Sequence, residues 1–95
     1  MSLEVSLPVM PELFREVHGD GPPMLLFHGG TGSHRHFARN LPVLAAKFRV
    51  HAFDLPGYGH SPDVPKGTSP DDYLDWIASQ AAAIPGEFHL VGFSF

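Results

Sequence analysis

Cysteine is absent from this 95-residue chain, which excludes disulfide pairing and thiolate chemistry within it. Long apolar runs are missing too. No stretch approaches the roughly 20 apolar residues that a membrane-spanning helix needs. Met1 to Val9 lacks the basic start and apolar core of a secretory signal, so the cytoplasm is the default compartment and no membrane partner is expected. Basic residues are scarce and dispersed. Arg15, Arg35, Arg39, Lys47, Arg49 and Lys66 form no stripe that could grip a phosphate backbone, so no nucleic-acid partner is expected either. The formal net charge of -4 is ordinary for a soluble surface and names no cationic partner.

What remains is a globular composition: 43% hydrophobic and 12% aromatic residues, in a length that makes one domain or part of one. Leu3 to Leu7 alternates loosely as a short edge strand, and Leu13 to His18 reads as a second, closed by Gly19-Asp20-Gly21 and Pro22-Pro23. Met24-Leu25-Leu26-Phe27 is apolar without alternation, the pattern of a central strand covered on both faces. Val50-His51-Ala52-Phe53 and Phe88-His89-Leu90-Val91 are the other two candidates for the centre.

Two helical patterns separate these strands. Phe37, Leu41, Leu44 and Phe48 recur at helical spacing, with Pro42 in a first turn. The second helix has a capping box: Ser69 at the N-cap, Pro70 at N1 and Asp72 at N3. Leu74, Ile77, Ala81 and Ile84 line one face, and Pro85-Gly86 ends it. Strand, helix, strand, helix, strand describes an α/β protein with a mostly parallel sheet. Strand Phe88–Val91 would leave an apolar parallel edge uncovered. Such an edge invites aggregation, so a continuation of the chain or a complementing C-terminal fragment is expected.

Three turns follow the three central strands, and each carries residues suited to chemistry. Gly92-Phe93-Ser94-Phe95 holds the first four positions of Gly-x-Ser-x-Gly, a sharp turn that exposes a serine hydroxyl at the C-terminal edge of a sheet. His28-Gly29-Gly30-Thr31-Gly32 lets the backbone come close and turns amides outward, where they could face the oxygen of a tetrahedral intermediate. It lacks the Gly-Lys-Ser/Thr ending of a phosphate loop and the usual dinucleotide fingerprint. Asp54 follows the next strand and could stand in for a ribose-binding acid, which keeps a nucleotide fold as a rival. In Asp54-Leu55-Pro56-Gly57-Tyr58-Gly59-His60-Ser61 the better reading of Asp54 is structural: its carboxylate accepts bonds that hold a compact turn.

Together these motifs resemble the N-terminal half of an α/β-hydrolase-fold serine hydrolase, and the resemblance spans essentially the whole chain. It implies one domain of which residues 1–95 are the N-terminal part, with a mostly parallel central sheet and helices on both faces. It implies that the strand before Ser94 lies beside Met24–Phe27. Ser94 would be the nucleophile, and the amides of Gly30 and Phe95 the oxyanion donors. His28, Gly29, Gly32, Asp54 and Gly92 would support the loops. The catalytic acid and histidine, and any cap, would follow later in the chain.

The resemblance implies no cofactor and a small-molecule substrate with an ester, amide, thioester or activated C–C bond. Oligomeric state is open. His34 and His36 sit two apart with no carboxylate or cysteine nearby in sequence, so they are read as lining the entrance rather than as a metal site. His89 is expected to be packed or hydrogen-bonded on its strand, whereas His18, His51 and His60 receive no role. A non-catalytic scaffold, or a cofactor-free oxygenase or peroxidase on the same fold, is the alternative function.

Overall fold

A computed structural model describes residues 10–30 and 32–92. The expected strand Leu3–Leu7, Thr31 and the Phe93-Ser94-Phe95 segment lie outside the described residues. Four strands form one mixed sheet: β1 (Arg15–His18), β2 (Pro23–Phe27), β3 (Arg49–Phe53) and β4 (His89–Gly92), in the order β1-β3-β2-β4. β1 runs antiparallel to β3, and β2 runs parallel to both β3 and β4. β1 is shorter than the alternation predicts because Leu13 and Phe14 donate to side chains instead. Leu13 N–H bonds Gln80 Oε1 at 2.8 Å and Phe14 N–H bonds Ser61 Oγ at 2.9 Å.

The unalternating apolar run of β2 is explained by cover on both faces. On one face Leu25 and Phe27 join Phe53, Leu55, Trp76, Ala81 and Ile84. On the other, Met24 and Leu26 join Val50 and Phe37, with Leu41, Leu44 and Phe48 packed against them. Thus the predicted stripe Phe37-Leu41-Leu44-Phe48 does reach the sheet, but not as one helix. A 3-10 turn, His34–Phe37, precedes a single α-turn, α1 (Leu41–Leu44). Pro42 supplies the reason. It has no N–H to donate backwards, and its ring crowds the preceding turn, so a helix starts at this point and cannot run through it.

α2 (Pro70–Ala82) begins as its sequence dictates, with Ser69 Oγ accepting Asp72 N–H at 3.1 Å. Its buried face is rotated from expectation. Leu74 is 61% exposed, whereas Trp76 is 1% exposed and anchors the helix. Trp76, Tyr73 and Gln80 face inward with Ile77, and this puts Leu74 about a quarter turn away from the centre of contact. The indole fixes that rotation, because Trp76 Nε1–H donates to Pro11 O at 2.8 Å. β4 is displaced by one residue from the expected Phe88–Val91 and lies at the edge of the sheet, where its apolar side chains stay uncovered as its sequence predicts: all four of its residues are exposed, including Leu90 and Val91. Among the described residues it pairs with β2 alone.

Candidate active site

β2 and β4 end level. Phe27 is the register partner of Gly92, so the C-terminal ends of these adjacent parallel strands lie side by side at one edge of the sheet. Ser94 and Phe95 lie outside the described residues. Gly30 is half-buried within the loop that follows β2, and Gly29 is buried. Gly32 N–H is satisfied inside this loop, donating to Gly29 O at 3.0 Å.

His28 secures the start of the loop. It is 1% exposed, and its Nε2 accepts the main-chain N–H of Leu55 at 2.9 Å. A backbone amide only donates, so Nε2 is unprotonated and the ring proton sits on Nδ1, which donates to Gly29 O. Tyr58 closes over the ring edge-on at 5.4 Å.

Asp54 secures the end of the loop and the next turn together. It is fully buried at the end of β3. Its Oδ1 accepts His34 N–H at 2.6 Å and lies 2.8 Å from His34 Nδ1, and its Oδ2 accepts His60 N–H at 2.8 Å. Burial pushes the Asp54 pKa up, but the donated N–H groups of His34 and His60 and the His34 ring outweigh it, holding the carboxyl below its ordinary value. Because Asp54 is ionised and only accepts, Nδ1 of His34 must carry a proton. Gly59 completes the turn at φ 53°, and a Cβ there would run into the Asp54 carboxylate. Ser61 Oγ donates to Asp54 O.

His34 is therefore not an entrance residue. It is buried, and its Nε2 lies 3.2 Å from Glu16 Oε2, while Glu16 Oε1 contacts His18 Nε2. Sequence proximity hid these partners: both carboxylates approach from other strands, one 18 residues before His34 and one 20 after it. His18 and His60, which the sequence left without a role, join the same cluster. Phe14 packs on both imidazoles, 5.0 Å from His34 and 5.0 Å from His60. His36 is exposed beside Phe37. His89 is exposed yet packed, its ring edge-on to Phe48 at 5.4 Å. His51 is 4% exposed on β3, and its Nδ1 has no hydrogen-bond partner. Among the described residues, no cluster of His, Cys, Asp or Glu is arranged to hold a metal ion, and no helix is long and apolar enough to cross a membrane.

The family model for the alpha/beta hydrolase fold matches residues 22–95. The chain belongs to that family. Over 80 residues it is 39% identical to the pimeloyl-[acyl-carrier protein] methyl ester esterase of Aeromonas hydrophila, covering 83% of this chain and 30% of that protein. The esterase of the same name from Methylococcus capsulatus is 37% identical over 87 residues, covering 86% and 31%. Among solved structures, E-2-(acetamidomethylene)succinate hydrolase superposes with a TM-score of 0.74 at 36% identity, over 86% of this chain and 31% of that one. An α/β hydrolase from Sphaerobacter thermophilus gives 0.73 at 28% identity, over 84% and 31%. The mixed sheet with helices on both faces is the α/β-hydrolase arrangement. The chain spans about 30% of the length of the curated relatives it matches.

Proposed function

We propose that the full-length protein is a serine hydrolase whose nucleophile is Ser94 and whose oxyanion donors are the amides of Gly30 and Phe95. The level ending of Phe27 and Gly92 supports this reading, because the Gly30 loop and Ser94 follow in sequence from the ends of two neighbouring parallel strands. In the reaction the serine oxygen attacks a carbonyl carbon and passes its proton to a histidine, which a carboxylate holds in place. The two amides stabilise the oxyanion, and collapse expels the alcohol or amine with the histidine's proton. Water then repeats the sequence to free the acid.

Residues 1–95 are the N-terminal part of the domain in this reading, and the acid and histidine belong to downstream polypeptide. Asp54 is not that acid. Its carboxylate already serves His34 and His60 inside the protein. The relatives named above include methyl ester esterases and a hydrolase, which favours a small carboxylic ester over the other bonds the half-site suits. A cytoplasmic location accompanies this reading.

A fluorophosphonate probe tests it. The full-length protein should gain one adduct, mapped to Ser94 by peptide mass, and Ser94→Ala should abolish it. Absence of an adduct on the folded protein removes Ser94 as nucleophile.

A further inference from the structure

Two histidines bracket the Gly29–Ser33 loop, and both are tied to the same crossover. His28 takes the N–H of Leu55, and His34 takes the carboxylate of Asp54. The His28 tie sets where the loop begins. The His34 tie has two parts, one from the backbone N–H and one from the ring, both reaching Asp54 Oδ1. A backbone bond alone would leave the His34 side chain free to be any residue. The ring adds a second donor to a fully buried carboxylate, fills the space beside Phe14 and meets Glu16 on β1.

We propose that His34 is a positioning residue for the hydrolysis described above: its ring fixes the end of the glycine loop and thereby aims the Gly30 amide at the oxyanion. This rests on the serine-hydrolase reading. The effect comes from the Nδ1–H bond to buried Asp54. The contact with Glu16, whose side chain is 40% exposed, is screened by solvent and contributes little. Loop amides act on charge that develops in the transition state, so a misplaced loop lowers turnover without weakening substrate binding.

The side chain can be divided by substitution. Asparagine keeps a donor near the place of Nδ1, glutamine keeps one near Nε2, and alanine keeps neither. In the full-length protein, turnover of a p-nitrophenyl ester by His34→Ala should fall about tenfold with KM within about twofold of the parent, since a small displacement of an oxyanion donor forfeits part of its effect. His34→Asn should recover most of that loss, and His34→Gln should not. Glu16→Gln should leave kcat within about twofold of the parent.

Amide hydrogen exchange at Gly29, Gly30 and Gly32 reads the loop without any chemistry, and should quicken in His34→Ala and return in His34→Asn. Unchanged exchange in His34→Ala overturns the positioning role, whatever the reaction. Faster exchange with unchanged kcat overturns its catalytic consequence. A rise in KM at constant kcat places His34 in substrate binding instead. If fluorophosphonate labels no serine in the parent, the hydrolase reading itself fails, and the exchange rates alone then decide whether His34 holds the loop.

Discussion

The unprotonated Nε2 of His28 and the main-chain N–H of Leu55 meet at 2.9 Å in the interior, joining the loop after β2 to the turn after β3. This bond determines the tautomer of His28 and occupies the lone pair that a general base would need. A proton-accepting role for His28 would strand a buried amide.

Removing that acceptor should be costly for the fold. His28→Ala is expected to lose about 2–4 kcal/mol, combining an unsatisfied buried N–H with a cavity. His28→Gln offers an oxygen to Leu55 N–H and should recover part of the loss. Urea denaturation followed by circular dichroism distinguishes the pair, and equal midpoints would show that the bond to Leu55 carries no stability.

Gly59 and Gly67 both have positive φ, 53° and 90°, but their surroundings differ. A Cβ at Gly67 meets nothing within 4 Å, so Gly67→Ala should cost only the backbone strain of about 1–2 kcal/mol. At Gly59 the same atom collides with the Asp54 carboxylate. Gly59→Ala should therefore cost more, by about 1–3 kcal/mol, and it should also disturb the His34 and His60 bonds. Matching melting temperatures for the two variants would contradict the collision.

Trp76 sets the rotation of α2 through its bond to Pro11 O. Trp76→Phe keeps most of the apolar volume and loses the N–H donor, for an expected cost of about 1–2 kcal/mol, while Trp76→Ala should cost about 3–5 kcal/mol. Thermal melts check both. A Trp76→Phe variant as unstable as the alanine variant would mean that the bond to Pro11, not the ring's bulk, decides the packing.

Acid should act on two buried groups in the same direction. Burial, then the nearby charges of Arg15 and Arg49, lower the His51 pKa below its ordinary value, so the unfolded chain takes up a proton first as pH falls. Its contribution is complete above the ordinary imidazole range and is lost as pH drops towards the folded value. Asp54 behaves alike at lower pH. Its folded pKa is also depressed, so its stabilisation is present above the ordinary carboxylate value and vanishes as pH falls through the folded one. His51→Phe removes the unpartnered Nδ1 and should flatten the stability profile below about pH 6.5 while leaving the deeper acid limb intact. A profile unchanged by His51→Phe would remove His51 as its cause.

Periodicity and turn chemistry are enough to place the strands at Met24–Phe27 and Val50–Phe53, the last strand to within one residue (Phe88–Val91 expected, His89–Gly92 observed) and the cap at Ser69. These features depend on neighbours in sequence or on the simple need to cover an apolar strand. The neighbouring of β2 and β4, by contrast, is legible only through the family resemblance. The failures have one physical origin: each depends on a side chain that reaches across the fold or on a backbone that cannot follow its pattern. Trp76 turned α2 away from Leu74 by finding Pro11, 65 residues earlier. The sequence reads His34 as lining an entrance because Glu16 and Asp54 approach it only after β1, β3 and the 3-10 turn have assembled. The first helix begins only beside Pro42: the apolar spacing from Phe37 is right, but a residue with no N–H to donate backwards can start a helix and not continue one.

The two histidine ties have a consequence for how the glycine loop can vary. Its ends are fastened to Asp54 and Leu55, consecutive residues whose Cα atoms stand about 3.8 Å apart across a trans peptide. The two ends of the loop are thus held by neighbouring residues of the scaffold. Lengthening a loop between such ties costs little, because closure entropy grows only with the logarithm of its length. Residues between the ties can be exchanged or inserted while the sheet below stays as it is, so the shape of the site above can be rebuilt on an unchanged foundation.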